Sequence, residues 1–176
     1  MNSTVFLWLG LALLVFWAMG AYNRLVRLRS QGLLAFGLLE GLFRQYIGLV
    51  TVNLPVEVAA SANTRVHSSD LAQASEKFST TLKKARNQPL DGALIEALKQ
   101  TYEALLLTQC QLDAHAWDAG QGGIERWRIQ CEQLQTQIEL AKADFNRQVD
   151  AYNEAISEFP AILLVWLIGF KPARCL

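Results

Sequence analysis

Charge is missing from the start of this chain. No charged side chain occurs before Arg24 and no proline before Pro55. Charged residues make up only 18% of the 176, below the roughly 25% usual for soluble domains. The 16 basic and 16 acidic residues cancel, so the chain lacks the basic excess by which a nucleic-acid binder grips phosphates. Three cysteines are too few, and odd in number, for a disulfide framework. There are only two histidines, no Gly-rich phosphate loop and no paired zinc ligands. A hydrophobic share of 52% excludes an intrinsically disordered chain, and four prolines leave room for long helices. The length suits one domain with an appendage.

The hydrophobicity is concentrated at the N-terminus. Val5 to Ala21 reads VFLWLGLALLVFWAMGA, and with its polar flanks gives 23 residues without a charge. About 20 apolar residues in a helix span the roughly 30 Å of a bilayer core. Residues 1–23 are therefore expected to be a transmembrane anchor. Tyr22 and Asn23 follow at the level of the interface, where an aromatic body with a polar tip fits. Arg24, Arg27 and Arg29 come next, and the positive-inside rule then puts the N-terminus outside and residues 24–176 in the cytoplasm. A cleaved signal peptide is the rival reading, with Ala18-Met19-Gly20 as a loose cleavage site. It lacks the positive n-region and has too long an apolar run.

Beyond the anchor the spacing is helical. Leu25, Leu28, Ala35, Leu39, Leu42, Tyr46 and Leu49 share one face, so the anchor is expected to continue as one helix to about Asn53. Glu40 and Arg44, four apart, are placed to pair. Two readings of this apolar stretch stay open. It is either buried on most sides in a bundle, or it offers a membrane-associated or subunit-contacting surface, helped by Gly37 and Gly41, which let another helix approach closely. Pro55 suits the first turn of a second helix carrying Val58, Ala62, Val66, Leu71, Ala74, Phe78, Leu82 and Ala85. Asp91 is a plausible cap for a third, with Leu94, Leu98, Tyr102, Leu105 and Leu112. Ala119 to Gly123 breaks it. A fourth runs from Ile124 through Trp127, Cys131, Leu134, Ile138, Ala141, Phe145, Val149, Tyr152 and Ile156 in alternating steps of three and four. Pro160 interrupts; Ala161 to Phe170 is apolar but only ten residues long, too short to span a membrane, and the segment 160–176 is expected to fold back and cap the bundle. The fold class is thus all-α: an N-terminal transmembrane helix continuing into an antiparallel bundle of about four long helices.

Tyr22-Asn23-Arg24-Leu25-Val26-Arg27-Leu28-Arg29, then Phe145-Asn146, Val149, Tyr152-Asn153, Phe159-Pro160 and Gly169-Phe170-Lys171-Pro172, occur in an order that resembles the LemA family of bacterial single-pass membrane proteins. Lys84-Ala85-Arg86 also stands about where that family has an Ala-Arg pair. The chain departs from the family between Leu38 and Val50, where a basic, proline-containing stretch is replaced, so it resembles a divergent member. The resemblance implies an N-out, C-in protein of the bacterial inner membrane with a cytoplasmic helical domain. It implies a non-catalytic scaffold or adaptor, with protein partners that include a membrane-bound protease.

Candidates for chemistry are weak. His115 and Asp118 are one turn apart, but no third ligand has suitable spacing. His67, Ser68, Ser69 and Asp70 are adjacent in sequence and are expected in a loop; a triad is assembled from separated segments. Cys110 and Cys131 flank the third turn at equal distances and are expected at one height as core thiols. No catalytic residue, cofactor or metal site is assigned. Three functions are weighed: the membrane-anchored scaffold, which is favoured and includes homo-oligomers; an oligomeric transport assembly with residues 31–52 in contact with lipid; and an enzyme built from scattered residues such as His115, Asp118 and Cys131.

Overall fold

A computed structural model of the protein describes residues 2–52, 62–118, 124–158, 169 and 171–176. They form four α-helices and, among the described residues, no strand: α1 (Asn2–Val52), α2 (Ala62–Asn87), α3 (Gly92–Asp118) and α4 (Ile124–Ser157). The expected helix start at Pro55, the break at 119–123 and the segment 159–168 lie outside the described residues.

With no proline to interrupt it, α1 runs for 51 residues, which at 1.5 Å per residue is about 75 Å. Its two halves live in different surroundings. From Phe6 to Tyr22 nearly every side chain is exposed, Phe16 to 76%. From Leu25 onward one face is buried: Leu25, Ala35, Phe36, Leu39, Phe43, Tyr46 and Val50. The bundle therefore begins at Leu25, one residue after the first charge.

The four helices run up, down, up and down. α1 packs most extensively along α4 and α2 along α3, while α1–α2 is a lesser seam. The heptad-like spacing of α4 buries Trp127, Cys131, Ile138, Phe145, Val149, Tyr152 and Ile156 along one seam. Phe43 joins the two pairs, with its ring 5.0 Å from Phe78 on α2 and 5.0 Å from Tyr102 on α3. The edge-on and tilted geometry suits aromatic quadrupoles and adds about 0.5–1.5 kcal/mol per pair beyond area burial. Phe36 meets Phe145 at 5.7 Å in the same way.

The α2–α3 connection is a tight turn closed by Gln88 N–H to Ala85 O and Asp91 N–H to Gln88 O, both 3.1 Å. Asp91 caps α3 as its position implies: Oδ1 accepts from Ala93 N at 2.9 Å and Leu94 N at 3.1 Å. Glu40 accepts from Arg44 at 2.5 Å and lies 3.7 Å from Arg86 of α2, so the pair expected within α1 also reaches across the bundle.

Candidate functional site

The most developed polar architecture lies at the end of the bundle where α1 emerges. There Arg24 of α1 meets Glu158, just past α4, at 3.0 Å. Both are solvent-exposed, so the pair contributes no more than about 1 kcal/mol. Alongside, residues 171–176 lie back on α4, held by two asparagines. Asn153 Oδ1 accepts from Ala173 N at 2.9 Å and its Nδ2 donates to Ala173 O at 2.8 Å. Asn146 repeats the arrangement with Leu176, accepting from N at 2.7 Å and donating to O at 3.0 Å. Each amide therefore satisfies both backbone groups of one tail residue. The spacing explains why two asparagines suffice: two helical turns of α4 rise about 10 Å, and three residues of extended chain reach about 10 Å. The tail runs antiparallel to α4 and buries Ala173 and Leu176.

The strap has further ties. Tyr152 donates its hydroxyl to Lys171 O at 3.1 Å. Arg174 reaches Glu96 of α3 at 3.6 Å, and its side chain covers Gly92, where an added Cβ would meet Arg174 Cγ at 3.0 Å. Cys175 contacts Asp150 at 3.3 Å; burial and that carboxylate push its thiol pKa up, away from a reactive thiolate. Gly169 sits at φ +81°, a left-handed turn natural to glycine, and delivers the chain to Lys171 and Pro172.

Between the strap, α1 and the α2–α3 turn is a cavity of about 740 Å³. Tyr22, Val26, Arg29, Ser30 and Leu33 of α1 form one wall, Asn87 to Asp91 a second, and Tyr152, Gly169 and Lys171 a third. Of its charged groups, Arg29 and Lys171 are cationic. The one carboxylate among its described lining residues, Asp91, already accepts two N–H groups of α3.

A second polar cluster lies deeper in the core. Tyr46 donates to Gln109 Oε1, and Gln135 Nε2 donates to the Tyr46 oxygen at 2.9 Å and to Gln109 Oε1 at 3.1 Å. Three helices are thereby fixed in register by one mutually satisfied group. Burial pushes the Tyr46 and Tyr102 hydroxyls well above the usual phenol range. The Cys131 thiol is raised to about 12, chiefly by burial, with Asp113 and Glu132 adding to it. Burial also raises Asp113 to about 6, against the opposing pull of Arg128 and Gln109. This cluster holds no activated nucleophile: every acid in it is shifted toward its neutral form.

The residues singled out from the sequence are distributed as follows. Tyr22 and Arg29 line the cavity, Arg24 pairs with Glu158, and Asn23 and Arg27 are exposed at the same level. Among the described residues nothing lies within 4 Å of a Cβ added at Gly37 or Gly41, so no described neighbour requires their small size. His67 to Asp70 lie in α2, a correction to their expected loop, and as consecutive helical residues they point in different directions. Cys131 is buried but Cys110 is exposed, because Gln109 takes the inward position opposite Gln135. The side chains of His115 and Asp118 lie outside the described residues. Among the described residues, no three His, Cys, Asp or Glu side chains converge. Asn146, Lys171 and the Tyr46–Gln109–Gln135 cluster were not foreseen as a site. For Asn146 the one signal was the repeat of Phe145-Asn146 and Tyr152-Asn153 seven residues apart.

Comparison with models of known protein families, with curated proteins and with solved structures finds no match.

Proposed function

We propose that the protein is a membrane-anchored helical scaffold of the LemA type, acting through protein contacts and without catalysis. One observation carries this reading. α1 is long and apolar enough to cross a membrane, and its exposed apolar part continues without a break into a helix that buries one face in a bundle. Burial in lipid of the 12 exposed large apolar side chains between Phe6 and Tyr22 is worth far more than the bundle could recover in water. The arginines at 24, 27 and 29 favour a cytoplasmic bundle and an outer N-terminus. The residues of the LemA-like motifs have structural work here: Asn146 and Asn153 hold the tail, and Arg24 ties α1 to Glu158. On that resemblance the membrane is the bacterial inner membrane and a membrane-bound protease is among the partners.

Crosslinking in native membranes, with mass spectrometry of the products, tests the reading. Crosslinks from α2, α3 or α4 to one or a few membrane proteins support it. A turnover reaction by the purified chain contradicts it.

The outward face of α1 favours a second reading, an oligomeric membrane assembly with residues 31–52 at the contact. Leu34 and Leu38 are 71% and 69% exposed, and the open Gly37 and Gly41 lie on the same face. A single oligomeric mass that Gly41→Leu reduces to the monomer would select it.

A further inference from the structure

The cavity beside Arg29 and Lys171 calls for a ligand of definite chemistry. Resting on the anchor reading above, we propose that it binds the phosphate-bearing headgroup of an anionic phospholipid, with Arg29 and Lys171 meeting the phosphate.

Four observations point the same way. The first is position. The cavity is walled by Tyr22, Val26 and Arg29, the turns of α1 directly after the uncharged run, so a lipid in the surrounding leaflet has its phosphate at this height. The second is charge. Arg29 and Lys171 share the described lining with one carboxylate, Asp91, whose Oδ1 is occupied by two α3 amides, leaving a net positive cavity. Arginine offers a planar fork to phosphate oxygens and lysine a compact ammonium. The third is the composition of the walls. Ser30, Tyr22, Asn87 and Gln88 supply polar groups for a glycerol or other headgroup. Val26, Leu33 and Leu90 offer an apolar wall to the start of an acyl chain. A volume of about 740 Å³ lies within the roughly 300–1,000 Å³ of small-molecule sites.

The fourth concerns Lys171. Orienting a helix in a membrane needs only cations next to the apolar run, which Arg24, Arg27 and Arg29 already supply. Lys171 comes from the opposite end of the sequence, and the structure goes to some length to fix it here. Gly169 turns the chain, Tyr152 holds the Lys171 carbonyl, and Asn153 clamps the residue two further on. A second cation whose backbone is fixed at the wall of the cavity that Arg29 also lines would let phosphate be met from two elements, which topology does not require.

The test uses the full chain in nanodiscs of four parts phosphatidylcholine to one part phosphatidylglycerol, with lipids retained by the protein counted by native mass spectrometry. Wild type is expected to retain the two lipids at a phosphatidylglycerol-to-phosphatidylcholine ratio at least fivefold above that of the bulk. Arg29→Gln/Lys171→Gln is expected to fall to the bulk proportion. Arg29→Lys/Lys171→Arg, which keeps both charges, and Lys77→Gln/Arg126→Gln, which removes two charges elsewhere, are expected to stay enriched. Bulk proportions in wild type, or undiminished enrichment in the double glutamine variant, overturn the proposal. So does loss of the enrichment on adding inorganic phosphate, which would mark a site for free phosphate. Protein that leaves the discs altogether overturns the anchor reading and this proposal with it. Protein that stays in the discs without lipid preference overturns this proposal alone.

Discussion

Asn153→Ala removes the two hydrogen bonds that hold Ala173, at 2.8 and 2.9 Å. Neutral hydrogen bonds contribute about 1 kcal/mol each, so the strap should lose about 2 kcal/mol of docking free energy. That is about a 30-fold rise in its opening equilibrium. The informative probe is not Ala173, whose amide loses its acceptor in the variant whatever else happens. It is the Leu176 amide, bonded to Asn146 at 2.7 Å and untouched by the substitution. If residues 171–176 open as one strap, hydrogen exchange at Leu176 should accelerate by about 30-fold in Asn153→Ala. Global melting should hardly change, because the strap covers only Ala173 and Leu176 of the buried set. Unchanged exchange at Leu176 would refute the cooperative strap and leave two independent contacts.

Other perturbations follow from the core. Tyr46→Phe strands Gln109 and Gln135 without their shared hydroxyl and should cost about 1–3 kcal/mol in chemical denaturation. Phe43→Ala removes the ring packed against Phe78 and Tyr102 and should cost about 3–5 kcal/mol, the largest loss of any single truncation named here. Asp113 is raised from 3.8 to about 6 in the folded protein, so between those values the folded state binds more protons than the unfolded. Stability should therefore fall as pH rises from about 4 to 6, by about 1–2 kcal/mol once solvent screening of a half-buried group is allowed for. Asp113→Asn should abolish that slope, seen as pH-independent denaturation midpoints over the same interval. Moving the arginines at 24, 27 and 29 ahead of Phe6 should reverse the protein's orientation, read by protease protection in sealed vesicles.

Helix order and core were legible in the sequence because both obey local rules. Apolar spacing of three and four named Phe78, Leu82 and Ala85 on α2 and Leu98, Tyr102 and Leu105 on α3, all buried. Asp91 was legible as a cap because one side chain and the next two or three amides make the whole motif. The candidate site was legible only in half. Tyr22 and Arg29 follow the apolar run and announce an interface. An amide at 153 on an otherwise apolar helix face implies backbone groups to satisfy at a bundle end, and Asn153 holds Ala173, 20 residues away. Nothing local tells that Lys171 lines the same cavity as Arg29 or that Asn146 holds backbone 30 residues away. Cys110 shows the same limit: equal distance from a turn sets height but not direction, and one position of helical phase, about 100°, separates the outward Cys110 from the inward Gln109.

Whether the exposed half of α1 resides in lipid decides whether the bundle is tethered to a membrane. Single spin labels at Leu13 and Gln31, with the native cysteines replaced and the protein in liposomes, give the direct measurement through collision with oxygen and with a water-soluble nickel chelate. Leu13 is expected to meet oxygen and be shielded from nickel, while Gln31 meets nickel freely. Equal access of nickel to both, or recovery of a chain cleaved after Gly20 from the aqueous phase, would contradict the account.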